Sequence, residues 1–185
     1  MTMRVLVTAA TRYGSTGEMA RAIGEVLVEL GFETTVTAPE EVVAVDDYDA
    51  VVLGSAVYMG HWLDQAKELV ERSKDALAVR PVWLFSSGPV GDPSRKLVQK
   101  MGDDPIDVAE ILEATKARDN RVFAGRLEKE NLGFPQRAML IAFRGMEGDF
   151  RNWAEIKEWA SGIADALGKQ PQPESGVLDT SSSAG

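Results

Sequence analysis

A short segment near the amino terminus carries the residue types that bind a phosphate group. Its six residues precede an amphipathic helical pattern and are Thr11, Arg12, Tyr13, Gly14, Ser15 and Thr16. Hydroxyls, a glycine and the start of a helix offer O–H donors, backbone N–H groups and the positive end of the helix dipole. The sequence patterns of nucleoside triphosphate and dinucleotide sites are missing here. The segment therefore predicts a phosphate monoester site, and the alternative is a plain capping box of Ser15 and Glu18.

A second segment offers flat side chains. It runs from Gly54 to Trp62 and contains three residues with planar rings, Tyr58, His61 and Trp62, which could contact a flat ligand. The candidate binding residues are Ser55, Ala56, Val57, Tyr58, Met59, Gly60 and His61. The alternative is that Tyr58 and Trp62 pack over the top of the core.

A third segment, rich in glycine, could approach a ligand through its backbone. Its candidate residues are Ser87, Gly88, Pro89, Val90 and Gly91. The alternative is an ordinary turn between a strand and a helix.

Each of these segments follows a short apolar run that is typical of a buried strand. Strands are predicted at Arg4–Val7, Phe32–Thr37, Ala50–Leu53, Pro81–Phe85 and Arg121–Gly125, with helices after Ser15, around Leu63–Leu77, at Asp107–Ala117 and from Trp153 to Leu167. Asn152 and Glu155 have the spacing of a capping box for the last helix. Alternating strands and helices predict an α/β fold, a doubly wound parallel sheet with helices on both faces.

In such a sheet, ligands bind beyond the carboxyl ends of the strands, where these three segments would meet. One phosphate segment and two segments for a flat ring together describe a mononucleotide with a large aromatic base. Flavin mononucleotide (FMN) fits this description.

The composition narrows the function further. With 29 acidic and 20 basic residues the formal charge is −9, which argues against a nucleic-acid partner. The chain has no cysteine and only His61 as histidine, so thiolate and multi-histidine metal sites are excluded and no metal is predicted. No apolar run is long enough to span a membrane and no signal peptide is recognised, so the cytoplasm is the expected compartment.

From Val5 to Leu167 the sequence resembles the flavodoxin-like family, and within it the menaquinone-dependent protoporphyrinogen oxidase group. The resemblance lies in Thr11-Arg12-x-Gly14-x-Thr16, in Gly54-Ser55-Ala56-x-Tyr58-x-Gly60-His61, and in Ala124-Gly125 followed by a long insertion, then Gly148-Asp149 and Trp153. It implies a five-stranded sheet of order 2-1-3-4-5. It also implies an FMN-binding domain over residues 1–168, a substrate oxidised in two-electron steps, and a quinone that receives the electrons.

Two segments fall outside the alternation of strands and helices. The insertion at 127–151 contains an apolar stretch, residues 131–146, whose only charges are Arg137 and Arg144. This stretch is interpreted as a surface that contacts a membrane, a quinone or a partner, peripherally at the inner face of the membrane. The alternative is packing on its own sheet or on a second subunit, as in a homodimer. Residues 169–185 are predicted to be a disordered tail.

The leading hypothesis is thus an FMN-dependent oxidoreductase linked to a small molecule or quinone. His61 is the one candidate for a catalytic role, and a structural hydrogen bond is its alternative. Two other functions remain open: a flavodoxin-type electron carrier, and an interaction module that kept the fold without the cofactor.

Overall fold

The computed structural model describes residues 2–88, 105–127 and 148–168. The predictions made for Pro89, Val90, Gly91, for the apolar stretch at 131–146 and for the tail at 169–185 lie outside these residues. The description below concerns the described part of the chain.

A parallel five-stranded sheet forms the centre of the fold. Its strands are β1 (Arg4–Ala10), β2 (Glu33–Thr37), β3 (Ala50–Tyr58), β5 (Val82–Ser87) and β6 (Asp119–Phe123). They are ordered β2-β1-β3-β5-β6, while the short β4 (His61–Trp62) pairs antiparallel with the end of β3. The predicted order 2-1-3-4-5 of the five parallel strands is confirmed.

Helices cover both faces of this sheet, as predicted. They are α1 (Ser15–Glu29), α2 (Asp64–Arg72), α3 (Lys74–Ala78), α4 (Val108–Thr115) and α5 (Trp153–Leu167), and two 3-10 turns lie at Pro39–Glu41 and Val45–Asp47. A further two-stranded ribbon joins β7 (Arg126–Leu127) to β8 (Gly148–Asp149).

The alternation of side chains along each strand divides the core into two layers. Val5 and Val7 face α1 and α5, whereas Leu6 lies with the residues of α2, α3 and α4. On the α1 and α5 side, the rings of Phe85, Phe123 and Trp159 pack edge to face or tilted, with centroids 5.5 to 6.3 Å apart. Both faces of the central strands β1, β3 and β5 are therefore buried, which explains their runs of apolar residues, whereas the edge strands β2 and β6 are partly exposed and more polar.

Several predicted boundaries were wrong. Strand β1 continues to Ala10 instead of ending at Val7, and β5 continues to Ser87 instead of ending at Phe85. Strand β3 continues to Tyr58 instead of ending at Leu53, so much of the predicted second segment is strand. The helix predicted over Leu63–Leu77 is broken at Ser73 into α2 and α3. The predicted fifth strand was displaced by about two residues, since β6 begins at Asp119.

The last helix begins as predicted. The side chain of Asn152 accepts a hydrogen bond of 3.2 Å from the Glu155 N–H, which caps α5. Within the described ranges, no helix is both long and apolar enough to cross a bilayer.

Candidate functional site

The phosphate segment forms a tight turn at the carboxyl end of β1. Gly14 adopts φ of +88°, and its N–H donates to Thr11 Oγ1 at 3.0 Å. This left-handed conformation favours glycine because a side chain there would be strained. The turn leads directly into α1, so Ser15 and Thr16 are the first two helical residues, and both are buried.

The capping-box interpretation of this segment is wrong. Gly14, not Ser15, is the residue that precedes the helix, and no side chain caps the first turn. The Glu18 carboxylate accepts a hydrogen bond of 2.5 Å from Arg151 Nη1 instead of capping the helix. The backbone N–H groups at the start of α1 are thus left without a side-chain cap, as an anion site requires.

The Ser15 hydroxyl fits a phosphate ligand. Its Oγ is buried and has no hydrogen-bond partner, although a buried hydroxyl normally has one. A methyl group built on Gly14 would meet no atom within 4 Å, so the space beside the turn is open. An unsatisfied donor at a helix start beside open space is the arrangement that a bound phosphate would complete.

An ion-pair network stabilises the start of α1. The side chain of Arg151, 3% exposed, pairs with Glu18 and with Asp149 at 2.6 Å, and Arg126 lies 3.6 Å from the same Glu18. Arg151 also donates to the Ser15 carbonyl at 3.4 Å. This network ties the β7–β8 ribbon to the first turn of α1.

The network lowers the pKa of both carboxyls that pair with Arg151. For Asp149 and for Glu18 the hydrogen bond from Arg151 lowers the pKa most, and partial burial acts in the opposite direction. Both groups are therefore ionised well below neutral pH. Sequence reasoning missed Arg151, and the pair Asp149-x-Arg151 beside the recognised Gly148-Asp149 was the available signal.

The second segment is a hairpin rather than a loop. Strands β3 and β4 pair through Val57 with Trp62 and Tyr58 with His61, and Met59 and Gly60 form the turn with φ of +53° and +82°. Met59 is 80% exposed. Since two-residue turns with positive φ hold a rigid register, the hairpin keeps Tyr58 at the sheet edge.

Two residues of this segment belong to the core. Trp62 is 2% exposed and its indole N–H donates to Ser86 Oγ at 2.8 Å, so the packing interpretation holds for Trp62. Ser55 is fully buried, accepts from the Leu63 N–H at 2.9 Å and donates to the Ala56 carbonyl. With its hydroxyl occupied in this way, Ser55 holds the base of the hairpin.

His61 is anchored to a carboxylate. Its Nδ1 lies 3.1 and 3.2 Å from the two oxygens of Asp107, and the Trp62 N–H donates to the same carboxylate at 2.8 Å. Burial would raise the pKa of Asp107, but the hydrogen bonds from His61 and Trp62 and the charge of Lys67 lower it below its usual value. This pair fixes β4 against the residue that precedes α4, which matches the structural alternative for His61.

The third segment contributes two described residues. Ser87 ends β5 and is buried, and the N–H of Gly88, with φ of +130°, donates to the Phe123 carbonyl at 2.9 Å. A methyl group built on Gly88 would lie 3.5 Å from Val57 Cβ. The start of the third segment therefore packs directly against the hairpin.

Arg12 joins the first segment to the second. Its guanidinium carbon lies 4.4 Å from the centroid of the Tyr58 ring and 5.7 Å from that of Tyr13. Together with the contact between Gly88 and Val57, this brings described residues of all three segments to one edge of the sheet. The role of each as a cofactor ligand stays a prediction.

The sequence matches the family model for the flavodoxin domain over residues 6–152. It is 24% identical over 180 residues to the protoporphyrinogen IX dehydrogenase (quinone) of Escherichia coli K12, and the match covers 90% of this chain and 98% of that protein.

Solved structures with the same fold include a flavodoxin from the domain Archaea, with a TM-score of 0.61 at 15% identity over 89% of this chain and 99% of that one. Another is the rubredoxin oxygen:oxidoreductase of the anaerobe Desulfovibrio gigas, with a TM-score of 0.57 at 16% identity. That match covers 89% of this chain and 36% of the other.

Proposed function

The chain belongs to the flavodoxin-domain family, and on that premise we propose that it is an FMN-dependent oxidoreductase that delivers electrons to a quinone. The substrate class proposed is the one named by its Escherichia coli relative, a protoporphyrinogen. The observation that carries the cofactor assignment is the buried Ser15 hydroxyl, which has no partner at the start of α1.

The residues of the site divide the binding of FMN between them. Ser15, Thr16 and the backbone N–H groups at the start of α1 hold the phosphate, for which the helix dipole adds a favourable field. Tyr58 and the Met59–Gly60 turn border the ring, and the backbone at Ser87 and Gly88 borders it from the neighbouring strand. When bound, the cofactor supplies the two-electron redox chemistry.

His61 is proposed as a positioning residue. The contact between its Nδ1 and Asp107 orients the ring at the foot of the hairpin turn. Because the same carboxylate accepts from the Trp62 N–H, the pair keeps the turn at the ring site in one place.

The proposed quinone contact uses the apolar stretch at 131–146. A cytoplasmic protein with such a stretch would dock peripherally at the inner face of the membrane, where quinones are dissolved. The two arginines of the stretch suit the anionic lipid headgroups.

The decisive measurement is a visible absorption titration with FMN, compared between the native chain, Ser15→Ala and Ser161→Ala. Ser161 lies on α5 and bonds the Lys157 carbonyl, so it serves as the matched control. We expect Ser15→Ala to weaken FMN binding about tenfold, or about 1.4 kcal/mol, and Ser161→Ala to leave it unchanged. Equal affinities for all three proteins would remove Ser15 from the site, and no flavin binding would favour the interaction module.

An electron carrier is the second candidate, and the charge of −9 favours it because an acidic surface steers a protein toward basic redox partners. Anaerobic reductive titration separates the two. Direct two-electron reduction supports the oxidoreductase, whereas reduction in two separate one-electron stages supports the carrier.

A further inference from the structure

Arg12 occupies an unusual place in the phosphate segment. It lies in the turn between β1 and α1, and its side chain is exposed and rests on the ring of Tyr58, at the end of β3. The second ring, that of Tyr13, lies at 5.7 Å. The guanidinium therefore bridges the phosphate segment and the hairpin instead of extending into solvent.

The charge of Arg12 is not neutralised by any described carboxylate. Its neighbours at this edge differ, since Arg126 and Arg151 both pair with Glu18. In an acidic protein, an arginine that forms no ion pair with a described residue creates a local region of positive electrostatic potential. The hydrogen bonds of the described residues likewise do not use its N–H groups.

A cation–π contact holds a guanidinium without using its N–H groups as hydrogen-bond donors. The Arg12 guanidinium carbon lies over the Tyr58 ring, and all five of its N–H groups are chemically able to donate. These donors match the two oxygens of a carboxylate, which arginine binds through paired hydrogen bonds. The arrangement is a preformed receptor for an anion.

We propose that Arg12 recognises an anionic group, a carboxylate in the first place, on the molecule that exchanges electrons at this site. This inference rests on the proposed function and specifies its substrate class as a redox compound that carries an acid group. The phosphate of FMN is held separately, by the start of α1. Arg12 then determines specificity between charged and neutral substrates.

The test compares two quinones of similar ring structure. One is 1,4-naphthoquinone-2-sulfonate, which carries an anion, and the other is neutral 2-methyl-1,4-naphthoquinone. Each oxidises the pre-reduced holoprotein under anaerobic conditions, gains two electrons and two protons, and leaves as the quinol. The proteins are the native chain, Arg12→Gln, Arg12→Lys and Arg121→Gln, the last as an exposed arginine on β6 that pairs with Asp119.

We expect Arg12→Gln to raise the half-saturating concentration of the sulfonate about tenfold relative to that of the neutral quinone. Arg12→Lys should recover part of the loss because it keeps the charge but not the paired donors. Arg121→Gln should behave as the native chain. Equal effects on both quinones, or FMN binding weakened about tenfold by Arg12→Gln, would overturn the proposal.

A second readout does not depend on the cofactor. In the apoprotein, the Nε–H signal of Arg12 is identified by NMR through its loss in Arg12→Gln and is followed while each quinone is added. We expect the sulfonate to shift this signal and the neutral quinone to leave it in place. A chain that fails to bind FMN would refute the proposed function, whereas an Arg12 signal that the sulfonate does not move would refute this inference.

Discussion

At the scale of single residues, the Ser15 hydroxyl predicts two effects of opposite sign. A buried hydroxyl without a partner destabilises the folded apoprotein, so Ser15→Ala should raise its free energy of unfolding by about 1 kcal/mol. Since the same substitution should weaken FMN binding, stability and affinity separate in one variant. Urea unfolding of the two apoproteins measures the first effect, and a less stable Ser15→Ala would mean that the hydroxyl has a partner in solution.

Arg151 gives a prediction about pH. Replacing it with Met leaves Glu18 and Asp149 without their main partner. Because both carboxylates are at least a third exposed and water can solvate them, we expect a loss of about 1 to 2 kcal/mol in unfolding free energy at pH 7. The folded-state pKa values of both carboxyls are lowered, so their contribution is present above the unfolded values near 4 and is lost as pH falls through the folded ones. The difference between the native chain and Arg151→Met should therefore shrink on acidification.

Denaturant unfolding at pH 7 and at pH 3 tests this expectation. The exposed pair of Arg121 and Asp119 supplies the control, because Arg121→Met should change stability little at either pH. A difference that stays constant with pH would assign the effect of Arg151 to packing rather than to charge.

Individual site residues were predictable from type and spacing where the signal was local. Gly14, Ser15 and Thr16 lie where a strand followed by a helix must place them. The pairing of Arg151 with Glu18 was not predictable in this way, because the two residues are far apart in the sequence and only the packed fold brings them together. The same holds for Asp107, whose contact with His61 no spacing rule indicates.

At the scale of secondary structure elements, Gly54 shows why a glycine can belong inside a strand. It lies within β3, and a methyl group built on it would collide with the ring of Phe85 on the paired strand β5. Gly54→Ala should therefore lower the unfolding free energy by about 2 kcal/mol. Thermal unfolding in parallel with FMN titration measures whether stability, affinity or both change.

Gly162→Ala is the matched control for Gly54→Ala. Gly162 lies in the exposed face of α5, and a methyl group built there meets no atom within 4 Å. Because alanine favours a helix interior, this variant should gain about 0.5 to 1 kcal/mol. A stable Gly54→Ala would show that the Phe85 ring can move aside.

The contact between Gly54 and the Phe85 ring also explains why the end of β3 was predicted wrongly. Gly54 and Ser55 suggest a turn, yet the strand needs small residues there because a large ring from the neighbouring strand covers it. The break at Ser73 between α2 and α3 was also missed, since the apolar spacing continues across it. The spacing of apolar residues thus predicted whether an element is a helix or a strand. It did not predict boundaries that depend on packing against a neighbouring element.

At the scale of the whole molecule, the β7–β8 ribbon permits a clean test of the insertion. Leu127 pairs with Gly148, so residues 128–147 can be replaced with Asn-Gly, which closes a two-residue hairpin. We expect this variant to bind FMN within about twofold of the native chain and to lose electron transfer to a membrane-dissolved quinone. Flotation with vesicles containing anionic lipid provides the second measurement.

Two outcomes would contradict that expectation. If the shortened chain does not fold, the insertion is structural. If it folds and still reduces the quinone, the contact with the acceptor lies elsewhere. A reversed replacement, Gly-Asn in place of Asn-Gly, separates a poor turn from a lost function, because only the turn chemistry differs.

The fold as a whole was predictable because strands and helices alternate with distinct periods and because both faces of the sheet are buried. The five-stranded order follows from the family resemblance rather than from the pattern, since alternation alone does not say on which side each strand is added. The ion pairs that join α1 to the β7–β8 ribbon could not be predicted, because they form between residues that only the folded chain brings together.

The strand order β2-β1-β3-β5-β6 has a consequence for synthesis on the ribosome. After β1 and β2 have paired, β3 joins the free edge of β1, and β5 and then β6 each join the edge formed by the parallel strand before, so the sheet can grow in the order in which the chain emerges. One face of the sheet is completed later, because α5 follows all the strands of the sheet in the sequence and packs on α1. A nascent chain that stops before Trp153 thus lacks the helix whose Trp159 packs on the rings of Phe85 and Phe123. Chaperones should bind such truncated chains, with this apolar surface uncovered, more strongly than the released protein.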